Sequence, residues 1–160
     1  MKKIIYIIPG WKETCKRKPY QLLAGIAEKN GYEVVFKNVD WNKELSLQIF
    51  PVPMNAVIFG FSLGAVLAWL VAQNYKCKNI ILASMTPYYY WKDKKMKKEM
   101  INITGSNFVN DIIKNINPIH QANKQTIIYG DLEEESGDII VPNTRHELNV
   151  NYINEINKIL

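Results

Sequence analysis

Short apolar runs alternate along the chain with stretches whose apolar positions recur at helical spacing. Residues 4–8 (IIYII) are continuously apolar, rich in β-branched side chains and stopped by Pro9-Gly10, the pattern of a strand buried on both faces. Over residues 19–30 the positions Leu22, Leu23, Ile26 and Ala27 mark a helix, with Gly31 where a helix often turns off. Residues 33–39 predict the next strand, 41–50 a short helix or irregular crossover, and 56–59 a third strand ahead of Gly60. A helix opening just after Ser62 is apolar nearly all round over 65–75 (AVLAWLVAQNY), as expected of a helix packed on a sheet and covered on its outer side. Residues 79–83 predict a fourth strand, 126–129 and 138–141 two more, and 147–160 a closing helix carrying Leu148, Tyr152, Ile153, Ile156, Ile159 and Leu160. Strand and helix in alternation predict an α/β chain of βαβ units: a mostly parallel sheet of about six strands, right-handed crossovers and helices on both faces, a three-layer αβα sandwich.

The stretch 84–124 breaks this rhythm, with Pro87-Tyr88-Tyr89-Tyr90-Trp91, lysines crowded over 92–98 and a helix expected around 107–115. It is the expected insertion, a small lid at about 85–124 within one domain spanning residues 1–160. A chain of 160 residues with 48% hydrophobic and 22% charged residues has enough apolar material for a core, which excludes disorder, collagen-like repeats and a disulfide-dense scaffold. The net charge of +5 permits an anionic partner without requiring one. Cys15 and Cys77 are too few for a disulfide framework or a cysteine metal cluster, and His120 and His146 are the only imidazoles, so no structural metal is expected. The first apolar run spans about five residues, short for the ~7–15 of a signal peptide, and none approaches the ~20 of a membrane span. A cytoplasmic protein is the expectation.

Gly60-Phe61-Ser62-Leu63-Gly64 is a G-x-S-x-G motif set between an apolar strand and an apolar helix, the context in which a serine on a sharp strand-to-helix turn is presented as a nucleophile. Glycines at 60 and 64 let backbone approach where a Cβ would clash. The helix N-terminus behind Ser62 offers free N–H groups and a positive dipole end to an oxyanion, with the Leu63 amide as the expected donor.

On these residues the chain resembles the α/β-hydrolase fold family, from about Lys3 to Leu160. In that family an acidic residue after a later strand and a histidine after the last strand follow the nucleophile in chain order. Here those are the carboxylates of Gly130-Asp131-Leu132-Glu133-Glu134-Glu135 and His146 in Asn143-Thr144-Arg145-His146-Glu147. The family often places its acid three residues beyond the strand-ending glycine, which implies Glu133 first and Asp131 second. The loop Pro9-Gly10-Trp11 corresponds to the family's second oxyanion donor, which implies the Trp11 amide. The resemblance also implies a version lacking the family's first two strands, a small ester or thioester substrate, and no cofactor.

Serine needs a base, and a neutral imidazole oriented by a carboxylate suits that task near pH 7; the expected hydrolase runs through Ser62, His146 and an acid, by way of an acyl-enzyme. The alternative is a catalytically idle module of the same fold that binds a ligand or protein, with the lysine run and aromatic patch as its contact surface. The two differ in whether His146 and an acid stand within hydrogen-bond reach of Ser62. The lysine run is expected as a solvated helix face with no nucleic-acid role. Residues 88–91 either line a substrate pocket or pack the loop, His120 is a surface or packing residue, and the cysteines are small apolar or partly exposed thiols.

Overall fold

The computed structural model describes residues 2–160, apart from the side chains of Tyr88 and Tyr89. Its strands are β1 (Lys3–Ile8), β2 (Tyr32–Phe36), β3 (Ala56–Phe61), β4 (Asn79–Ala83), β5 (Gln125–Gly130) and β6 (Ile139–Val141). They form one six-stranded sheet in the order β2-β1-β3-β4-β5-β6, with every pairing parallel. The helices are α1 (Lys18–Lys29), α2 (Leu63–Asn74), α3 (Lys94–Thr104), α4 (Ser106–Asn115) and α5 (Val150–Asn157).

The central strands are buried on both faces, and their side chains divide by alternation into two cores. Ile5, Ile7, Val57, Phe59, Ile81 and Ala83 pack with α1 and α5 on one face. Ile8, Ile58, Ile80 and Leu82 pack with α2 on the other, where Phe108, Val109 and Ile112 of α4 close the outer side. This outer cover explains why residues 63–72 of α2 are buried all round. The observed sandwich thus has three layers, and its sheet is wholly rather than mostly parallel.

Several boundaries differ from the sequence pattern for physical reasons. β3 does not stop before Gly60, because Gly60 pairs with Ile8 on one side and Leu82 on the other, and Phe61 pairs with Ala83. β2 ends at Phe36, short of Val39, as an edge strand with only β1 beside it. The crossover over 41–50 is irregular but for one 3-10 turn, Ser46–Gln48. The last helix starts at Val150, later than expected, because the Asn149 side chain caps it by accepting from the Tyr152 N–H at 3.1 Å. That leaves residues 142–148 as a loop.

The lysine run lies on α3, where Asp93 caps the helix through the Met96 N–H at 2.8 Å and no residue is buried. Lys94, Lys95 and Lys98 are exposed. Among the described residues, no helix is long and apolar enough to cross a membrane.

The chain runs from β1 outward to β2, then returns past β1 to β3 and continues the other way. This reversal makes the gap between the carboxyl ends of β1 and β3 the topological switch point, where open parallel sheets hold their ligands. Pro9-Gly10-Trp11 follows β1 and Ser62 follows β3.

Candidate active site

Ser62 caps α2 with φ 54° and ψ −123°, a conformation that costs a non-glycine residue of order 1–3 kcal/mol and persists only when its surroundings dictate it. The surroundings here are backbone. The Ser62 N–H donates to the Ala83 carbonyl at 2.8 Å, and the Ala65 N–H to the Ser62 carbonyl at 3.0 Å. A Cβ at Gly64 would stand 2.2 Å from the Pro9 carbonyl oxygen, and one at Gly60 would stand 2.5 Å from the Ala65 Cα. Only glycine at both positions lets α2 begin this close to the ends of β1 and β3.

His146 reaches the same edge from the loop between β6 and α5. That loop is held against the end of β5, where a Cβ at Gly130 would lie 2.1 Å from the Thr144 carbonyl oxygen. The same carbonyl accepts the Leu132 N–H at 3.1 Å. The imidazole lies 5.4 Å from the Phe61 ring centre to centre. Its Nε2 is 2.9 Å from Ser62 Oγ, and its Nδ1 is 2.9 Å from Glu133 Oε1.

Glu133 is turned inward by its own loop: its N–H donates to the Gly130 carbonyl at 3.1 Å, and its Oε2 accepts the Gly130 N–H at 2.7 Å. Burial raises the carboxyl's pKa, but the hydrogen bonds from His146, Gly130 and Ser84 outweigh it, and the group sits below its ordinary value. Asp131, the other expected carboxylate, points elsewhere. Its Oδ1 accepts the Thr144 N–H at 3.0 Å, and the Thr144 and Asn143 backbone N–H groups hold its pKa down in turn. It thereby fastens the His146 loop without touching the ring.

No protein-family model matches the chain, and no curated protein does. Solved structures do. Est1E from Butyrivibrio proteoclasticus superposes with a TM-score of 0.70 at 12% identity, over 98% of this chain and 84% of its own. The α/β hydrolase domain-containing protein 10 from mouse gives 0.68 at 12% identity, over 98% and 87%. The esterase domain of a Rhodothermus marinus protein gives 0.57 at 10% identity, over 98% and 83%. The chain has the α/β-hydrolase fold.

In this α/β-hydrolase fold the two amides expected to serve an oxyanion flank the switch point. Leu63 is the first residue of α2, so its N–H has no partner within the helix. In the β1 loop, the Gly10 N–H is already given to the Tyr20 hydroxyl at 2.9 Å. Among the described residues neither the Leu63 nor the Trp11 N–H meets an acceptor. The Trp11 indole packs against Trp41 and Phe108, with ring centres 5.1 and 5.5 Å away, so the side chain has a packing role apart from its amide.

Two residues at the site are not singled out by a linear reading. Ser84, just past β4, and Tyr152, in α5, are 1% and 0% exposed. Ser84 Oγ donates to Glu133 Oε2 at 2.7 Å, and the Tyr152 hydroxyl lies 3.0 Å from the same oxygen and 2.5 Å from Ser84 Oγ. A tyrosine among aliphatic residues on a buried helix face is the one hint, since its hydroxyl must find a partner.

A cleft of about 420 Å³ opens beside His146 and Glu133, with Met85, Pro87, Tyr90 and Tyr129 among its walls and Arg145 at its rim. Tyr90 therefore faces the cleft, whereas Trp91 is core; the side chains of Tyr88 and Tyr89, included in the same expectation, lie outside the described residues. His120 packs edge-on against Trp69 at 4.8 Å and bonds Gln125. Both cysteines are buried rather than partly exposed, and desolvation pushes each thiol up to about 11. Among the described residues no three His, Cys, Asp or Glu side chains converge as a metal-ligand set.

Proposed function

We propose that the protein is a serine hydrolase that cleaves a small ester or thioester through a Ser62-His146-Glu133 triad. The observation that carries this reading is the unbroken pair of 2.9 Å hydrogen bonds from Ser62 Oγ through His146 to Glu133. The solved hydrolases and esterases of the same fold support it at the level of chemistry class. A His146 ring held away from Ser62 would have favoured the binding module; the observed contact favours catalysis.

In this mechanism His146 Nε2 takes the Ser62 proton as Oγ attacks the substrate carbonyl, and the oxygen's developing charge falls to the Leu63 and Trp11 amides. Glu133 accepts from Nδ1, which fixes the tautomer with a free Nε2 and stabilises the imidazolium. The proton passes to the leaving alcohol or thiol, and an acyl-Ser62 remains. Water then repeats the sequence with His146 as base, releasing the acid and restoring Ser62. The cleft offers Met85, Pro87, Tyr90, Tyr129 and Leu132 to an organic group of modest size, beside the charged Glu134, Glu135 and Arg145.

The test is labelling with a fluorophosphonate probe, read by intact mass, on wild type and on Ser62→Ala, His146→Ala, Glu133→Ala and Asp131→Ala. One adduct is expected on wild type and on Asp131→Ala, none on Ser62→Ala, and strongly slowed labelling on the other two. A screen of short-chain esters and thioesters then names the substrate. Full labelling or turnover by Ser62→Ala would defeat the reading.

A further inference from the structure

The expected triad ends at Glu133, but the hydrogen-bonded chain does not. Four groups reach the Glu133 carboxylate, unevenly shared: His146 on Oε1, and the Gly130 N–H with the Ser84 and Tyr152 hydroxyls around Oε2. The two hydroxyls come from residues 68 positions apart in the chain. Ser84 follows β4, beside the strand that carries Ser62. Tyr152 comes from α5, and its ring packs edge-on against Phe61 at 6.1 Å, the ring that also lies against His146.

The backbone at Ser84 supplies a second, independent observation. It has φ 46°, a left-handed conformation unusual outside glycine, yet it is anchored by its N–H to the Ile128 carbonyl at 2.8 Å. Strain at a non-glycine residue next to a reactive centre needs a compensating use, and its hydroxyl, aimed at Glu133, supplies one. The preceding residue, Ala83, accepts the Ser62 N–H. The end of β4 thus holds the nucleophile's backbone with one residue and the acid with the next.

We infer that Ser84 and Tyr152 are positioning residues that lock the Glu133 carboxylate, through a buried pair of hydroxyls, in the orientation that serves His146. Each hydroxyl has one proton. With the Ser84 proton committed to Oε2, the Tyr152 proton is left to Ser84 Oγ or Oε2, with the Ile128 carbonyl at 3.3 Å as the remaining acceptor. The pair therefore works as a unit: Ser84 holds Oε2 directly, and Tyr152 holds it either directly or through Ser84 Oγ, so that Oε1 stays directed at Nδ1. This inference rests on the hydrolase reading above and extends it to the support of the acid.

The experiment compares Tyr152→Phe, Ser84→Ala and the double variant with wild type, using p-nitrophenyl acetate hydrolysis and the downfield proton resonance of the His146 Nδ1–H. Tyr152→Phe keeps the ring in its core position, and Ser84→Ala removes a single oxygen. Each single variant is expected to lower kcat about tenfold, the worth of one hydrogen bond to a charged group, with KM changed less than about twofold. The double variant should fall short of the product of the two losses, as for coupled groups, and the His146 resonance should shift or broaden in all three. Wild-type kcat, or a fall in kcat with an unmoved His146 resonance, would overturn the inference. Ser62→Ala, run alongside, separates the failures: if it is inactive while the variants behave as wild type, only the positioning role falls; if it hydrolyses at the wild-type rate, the hydrolase reading falls and the inference with it.

Discussion

The turn that carries Ser62 and the arm that carries His146 and Glu133 meet at 2.9 Å, yet they are held by different physics. The turn is fixed by backbone crowding: β1, β3 and α2 approach so closely that glycine alone fits at 60 and 64. The arm shares one such backbone contact, at Gly130, but its reactive groups are aimed by side-chain hydrogen bonds, and the His146 side chain remains 55% exposed while that of Glu133 is 10% exposed. Steric constraints in a packed core fail abruptly, whereas hydrogen-bonded constraints fail in steps and respond to pH. Ser62 is therefore expected to be the rigid partner, and His146 the adjustable one.

The strongest way to break this contrast is to add one methyl group on each side. Gly64→Ala drives a Cβ into the Pro9 and Ile8 carbonyl oxygens, at 2.2 and 2.8 Å, inside the central sheet. It is expected to destabilise the protein by more than about 3 kcal/mol, as severe core overpacking does. Gly130→Ala meets the buried Thr144 carbonyl oxygen at 2.1 Å, backbone again, but in the loop between β6 and α5, where Asn143 and Arg145 on either side are exposed. Its expected cost is smaller, about 1–2 kcal/mol, but the displaced loop takes His146 with it and labelling of Ser62 should fall sharply. Urea unfolding and probe labelling on both variants decide the matter, and a reversed order of stabilities would undo the contrast.

A smaller effect is expected at the proposed oxyanion side, where the Tyr20 hydroxyl ties down the Gly10 N–H of the backbone loop. The Tyr20 hydroxyl accepts the Gly10 N–H at 2.9 Å and donates to Glu13, which also pairs with Arg17. Burial raises the Tyr20 pKa, so it stays a neutral donor. Tyr20→Phe leaves the Gly10 N–H unsatisfied and the Trp11 amide less well placed. Hydrolysis should drop about threefold to tenfold, mainly in kcat, a fraction of the loss on deleting an oxyanion donor outright. An unchanged kcat in Tyr20→Phe would mean that the β1 loop is as rigid as the Ser62 turn.

What a linear reading captures follows the same division. The Ser62 turn is written in five consecutive residues, although the carbonyls that demand glycine at 64 belong to Ile8 and Pro9 of the β1 end. The preference for Glu133 over Asp131 comes only from the resemblance, through the family's offset from the strand-ending glycine; in the structure the turn that points Glu133 inward closes on Gly130. Tyr152 reads only as one apolar position among Leu148, Ile153 and Ile156, since its partner Ser84 lies 68 residues away. The end of β3 is likewise set by neighbours: Gly60 looks like a terminator, but strands on both sides carry the pairing through it.

The smallest expected effect comes from pH, and it falls on the arm alone. Glu133 is held below its reference of 4.5 by donors that outweigh burial, and Asp131 below its 3.8 by backbone N–H groups. A carboxyl depressed in the folded state contributes stability that is fully present above its unfolded value and is lost as pH falls through the folded one. From pH 8 to 5 neither group changes charge, so their support of the His146 loop is constant. Below about pH 4.5 protonation weakens the bonds to His146, Ser84 and Thr144, while the Ser62 turn, which has no titrating support, is unaffected. Thermal midpoints measured from pH 7 to 3.5 should show an acid decline in wild type that is shallower in Glu133→Gln, where the titrating group is gone. An equal slope in the two proteins would move the acid-sensitive constraint from Glu133 to another carboxylate, with Asp131, bonded to the Thr144 N–H, the first to test.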